Sequence, residues 1–66
     1  MSMTKLQELN QDSRDTATSG SATSCAYQLL QNTVWLVENE KDEEKKRLMK
    51  WMIPMAAHLV GYTEKL

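Results

Sequence analysis

The chain has 66 residues and a formal net charge of −1, which is one domain at most with a thin core and no strong field of either sign. That near-neutral balance speaks against a general nucleic-acid binder, and the single cysteine, Cys25, excludes an intramolecular disulfide framework. No signal-type apolar segment and no run of membrane-spanning length is visible, so the chain reads as cytoplasmic and without a membrane span.

Residues 1–23 read as a short helix or mobile tail followed by a Ser/Thr-rich linker. Met3, Leu6 and Leu9 recur at helical spacing, and Thr4 followed by Gln7 is a weak capping-box pattern over Met3–Asn10. Three apolar residues hold such a helix only loosely. Thr16 to Ser24 is small, polar and hydroxyl-rich, which predicts a flexible connection.

Residues 24–66 read as a helical hairpin. Ala26, Leu29, Leu30, Thr33, Val34 and Val37 recur at three and four residues, the period of one buried helix face, with Ser24 as the predicted N-cap. Glu38 to Arg47 then contains no apolar residue. Running one helix straight through it would place Lys41 and Glu44 at successive seam positions, which a coiled coil disfavours. A turn over Asn39–Asp42 avoids this and leaves Asn39 or Asp42 to cap the second helix.

In that second helix Leu48, Met52, Met55 and Leu59 form one stripe, and Met49, Ile53, Ala56 and Val60 form another beside it. Pro54 predicts a kink, or a stop with a fresh start at Met55, because it lacks a donor and crowds the preceding turn. Gly61 predicts the helix end. The expected fold is therefore all-α: a hairpin, its second helix kinked or broken at Pro54, dimerising into a small helical bundle.

No catalytic constellation is visible. Cys25 and His58 are the one nucleophile–base pair the hairpin offers, yet so short a chain supplies no evident pocket around them. They are too few for a metal site, and the carboxylates from Glu38 to Glu44 are interleaved with lysine and lack calcium-loop spacing. No cofactor or metal is implied.

What stands out is apolar excess. Trp51, Met52, Met55, Leu59 and Tyr62 present more apolar circumference than one partner helix covers, and Trp35 and Leu36 lie off the main face of their own helix. Trp, Tyr and Met are the types enriched at association sites. The expected function is a non-enzymatic interaction module acting on a larger, unidentified protein, with Trp35, Trp51, Met52, Met55 and Tyr62 as the contact surface and a homodimer as the expected assembly. The alternative is a DNA-associated regulator that touches phosphates through Lys45, Lys46, Arg47 and Lys50.

Overall fold

A computed structural model describes residues 3–66; Met1 and Ser2, the start of the expected tail, lie outside the described residues. Every regular element is helical: α1 (Lys5–Ser19), α2 (Ala22–Glu38), α3 (Glu43–Met49) and α4 (Met52–Lys65).

Local chemistry accounts for each boundary. Thr4 and Gln7 form a full capping box: the Gln7 amide donates to Thr4 Oγ1 at 3.1 Å, and the Thr4 amide donates to Gln7 Oε1 at 2.8 Å. The helix so started runs well past Asn10 and into the expected linker as far as Ser19. Its hydroxyls turn inward instead of breaking it. Ser13, Thr18 and Ser19 donate to the carbonyls of Leu9, Arg14 and Asp15 at 2.7, 2.7 and 3.0 Å.

The connection thereby shrinks to Gly20 and Ser21. Ser21, not Ser24, caps α2, accepting from the Ser24 amide at 3.1 Å. The turn predicted over Asn39–Asp42 is present, and Asp42 Oδ1 accepts from the Glu44 and Lys45 amides at 2.9 and 3.3 Å.

Two expectations for the second helix change. The interruption falls at Lys50–Trp51, not at Pro54, and the axis bends there by only 22°. Pro54 occupies the first turn of α4, where an amide has no intrahelical acceptor, so the missing donor costs little. Its ring would meet the carbonyl four residues back, that of Lys50, and the helix opens at that carbonyl. Gly61 does not end α4; the helix continues to Lys65.

The chain runs up, down and up again. α2 is the middle helix, with α1 on one side and α3–α4 on the other. Tyr27 Oη, near the start of α2, donates to Glu64 Oε1, near the end of α4, at 2.7 Å, which makes that pair antiparallel. The α1–α2 pair is tied by Asn32 Nδ2 donating to Ser13 Oγ at 2.7 Å, and within α2 Gln28 Nε2 holds that amide by donating to Asn32 Oδ1 at 3.0 Å.

The buried residues are small: Leu9, Ala26, Thr33, Val37, Ala56 and Val60. Leu29, expected on the buried face, is 52 % exposed, and Leu30 and Val34 are half-buried, because α2 has neighbours at its two sides and none above or below. The Cα envelope measures 36 × 34 × 12 Å, the thickness of a single helix layer. Its radius of gyration, 13.0 Å, exceeds the roughly 11 Å of a compact domain of this length.

Two glycines test this packing in opposite directions. A Cβ on Gly20 would lie 2.6 Å from the Thr16 carbonyl oxygen, so Gly20→Ala should destabilise by about 1–3 kcal/mol in a chemical-denaturation midpoint. Gly61 has nothing within 4 Å of that position, so Gly61→Ala should stabilise by about 0.5–1 kcal/mol.

The Tyr27 phenol offers a second test. Its hydrogen bond to Glu64, and then the charge of that carboxylate, raise its pKa above the usual 10.0. A raised folded-state value means that the contact stabilises fully below pH 10.0 and fades as pH climbs through the folded value. In a Tyr62→Phe background, ultraviolet titration should place Tyr27 ionisation above 10.0, and Glu64→Gln should return it towards that figure.

Candidate functional site

Helix geometry decides where the uncovered apolar side chains point. Residues along a helix advance by about 100° each. The Tyr27–Glu64 bond marks one broad face of the layer. On α2, Leu36 and Leu29 lie about half a turn from Tyr27, so they occupy the other face. On α4, Met52, Met55, Leu59 and Tyr62 lie about half a turn to two-thirds of a turn from Glu64, and they occupy that same other face.

These residues are open to solvent: Leu29 52 %, Leu36 44 %, Met52 41 %, Met55 59 %, Leu59 48 % and Tyr62 68 %. Leu48, 76 % exposed, continues the α4 stripe one turn back across the bend. On α1, Leu6 shares a cleft with Leu36, and Ala17 shares one with Leu29, which carries the face across all three helices. From Trp51 to Thr63 there is no Asp, Glu, Lys or Arg, so this stretch carries no acidic or strongly basic side chain.

Of the five residues expected to form the contact surface, the structure brings Met52, Met55 and Tyr62 into one stripe. Trp51 stands on its outer flank, 64 % exposed, with Lys50 Nζ 5.4 Å from its ring centroid. Trp35 is separated from them. It is half-buried at the α1–α2 junction, where it lines the cleft that holds Leu6 and Leu36 and also a groove with Leu30, Val34, Lys5 and Glu38 on the opposite face. Of these face residues the sequence marked Leu36, with Trp35, as lying off the main face of its helix, but it placed Leu29 on the buried face. The seven-residue spacing of Leu29 and Leu36 was the available signal, but it equally fits a buried face until the neighbours of α2 are known.

The cationic residues are arranged differently. Lys45, Lys46 and Arg47 lie on the seven-residue helix α3, and Lys50 follows at its C-cap. Asp42, Glu43 and Glu44 occupy its N-cap and first turn. By helical angle Glu43 falls between Lys50 and Arg47, and Lys45 points elsewhere. Acids at the N-terminal end and bases at the C-terminal end complement the helix dipole, a local structural role.

Cys25 and His58 do not meet. The thiol is half-buried in a cleft between α1 and α2 and donates to the Thr16 carbonyl at 3.6 Å. The imidazole lines a separate depression with Ala57, Gly61, Tyr62 and Lys65. Among the described residues no group of three or more His, Cys, Asp or Glu is placed to hold a metal ion, and no helix is long and apolar enough to cross a membrane. No protein-family model, characterised protein or solved structure matches the chain.

Proposed function

We propose that the chain is a non-enzymatic protein–protein interaction module, an adaptor, regulator or inhibitor, that works by presenting the α4 face to an apolar helical surface. One observation carries this reading. Leu48, Met52, Met55, Leu59 and Tyr62 form a single stripe, each between 41 and 76 % exposed, on a layer with nothing above it. A contiguous apolar surface of this kind marks a contact site rather than ordinary surface scatter. Its composition supports the same view, since Met adapts to irregular partners and Tyr combines apolar area with a polar tip. Trp51 at the rim adds a large side chain of the type that anchors interfaces.

The DNA-associated reading finds less support. The four cations share α3 and its C-cap with three acids, and phosphate binding rests on net neutralisation that such a helix supplies poorly. Retention on DNA-cellulose at low salt should therefore be no greater for the wild type than for a variant with Lys45, Lys46, Arg47 and Lys50 neutralised. Strong wild-type retention lost in that variant would reverse the order of the two readings.

The interaction reading is tested by Met55→Glu with Leu59→Glu. Both positions are solvent-exposed, so far-UV circular dichroism should keep its helical signal. Binding of an apolar fluorescent dye and any association measured by light scattering should fall by at least about tenfold, or about 1.4 kcal/mol. Unchanged association with an intact fold would sink the assignment of the contact to this face.

A further inference from the structure

Resting on that reading, we infer that the surface covering this face is a second copy of the same chain, laid layer on layer with α4 antiparallel to the partner's α4.

Area is the first argument. The chain exposes 5354 Å², whereas a compact monomer of 7.6 kDa exposes about 4,300 Å². The excess, about 1,000 Å², is close to the roughly 800 Å² that each partner contributes to a standard stable interface. Helical domains are built of two packed layers, and this chain supplies one. A second copy supplies the other. With a formal net charge of −1 per chain, two copies repel little.

Register is the second argument, and it comes from all three helices independently. On α4 the spacing Met52, Met55, Leu59, Tyr62 reads the same in both directions, so an antiparallel copy sets Met55 against Leu59 and Met52 against Tyr62. That alternation of three and four is the seam of antiparallel coiled-coil packing. Its midpoint is level with Ala57.

The Tyr27–Glu64 bond fixes the level of α2 against α4 and puts Val34 beside Ala57. The exposed pair on α2, Leu29 and Leu36, has its midpoint between Asn32 and Thr33, which is about 2 Å from that level at 1.5 Å per residue. The Asn32–Ser13 bond carries the level across to α1. There the face residues Leu6 and Ala17 have their midpoint between Gln11 and Asp12, about 1 Å from the same level. One two-fold axis lying in the face and crossing the three helices therefore reverses every apolar pair onto its complement. A face shaped for an unrelated protein has no reason to be its own mirror in register.

The two clefts between α1 and α2, of about 160 and 200 Å³, sit on either side of the same axis and share Ser13 and Asn32 at their centre. That polar pair lies where a two-fold assembly tolerates a single polar layer that fixes register.

The test combines solution mass with directed cross-linking in the full chain, with Cys25→Ser as background. Multi-angle light scattering over a tenfold concentration range should give twice the chain mass. Under mild oxidation, a mixture of Met52→Cys and Tyr62→Cys chains should form a disulfide between the two variants, and neither variant alone should cross-link.

A dimer in which Met52→Cys cross-links to itself would overturn the antiparallel register while leaving the interaction reading intact. A monomer throughout the range would overturn the second-copy inference. If that monomer still bound apolar dye through Met55 and Leu59, the interaction reading would survive. Retention of the monomer on phosphatidylcholine–phosphatidylglycerol vesicles would make lipid the occupant and overturn both. Circular dichroism of each cysteine variant establishes that loss of cross-linking is not loss of fold.

Discussion

The seam between α2 and α4 is the contact on which the rest of the molecule hangs. It is made of small residues, Ala26, Thr33 and Val37 against Ala56 and Val60, with Ala26 the most sheltered at 4 % exposed. Small side chains let two helices approach closely, but each buries little area. Thr33 is tolerated there because its hydroxyl donates to the Leu29 carbonyl at 2.6 Å and leaves no unsatisfied group. A seam built this way turns the large apolar side chains outward by default. Leu29 and Leu36 on α2, and Met52, Met55, Leu59 and Tyr62 on α4, are displaced onto the broad face because the space between the helices is already full.

The α1–α2 contact follows a different logic. Leu9 is the one buried apolar residue that α1 contributes, and the pairing is otherwise specified by Ser13, Gln28 and Asn32. Hydrogen bonds of this kind add modest net stability but set register well, because a misaligned pair would leave a half-buried amide without a partner. The layer is thus held flat by one thin apolar seam and one polar seam. Both leave its upper face free, and the proposed contact depends on that freedom.

Function and fold are therefore joined by a deficit. A single layer of three helices cannot shelter both of its faces, and the apolar residues it leaves exposed are concentrated on one. The opposite face holds the Tyr27–Glu64 bond and the groove around Trp35, Lys5 and Glu38, and it carries more polar character. Burial of the apolar face removes water from Met, Leu and Tyr side chains without stranding a formal charge, since α4 carries none across that stretch. That is the physical basis for reading the face as a contact site and not as an incomplete core.

Periodicity, capping and breaker chemistry determined a good part of this by themselves. The all-helical class, the capping box at Thr4, the turn after Glu38 and the stripe Leu48–Met52–Met55–Leu59 are local, and local pattern reports local structure. The extent of α1 was not legible, because a run of Ser and Thr looks like linker until the hydroxyls are seen to bond back to their own helix. Pro54 and Gly61 were legible as perturbations but not in their effect, which depends on where the helix start falls relative to each.

What only the tertiary structure decided is which of several apolar stripes is covered. Leu29 and Val37 fit one face of α2 equally well by spacing. The neighbours of α2 stand at its sides, so Val37 is buried and Leu29 is left exposed. Spacing along a chain fixes angles around one helix axis, whereas burial depends on how many helices surround that axis and on which sides.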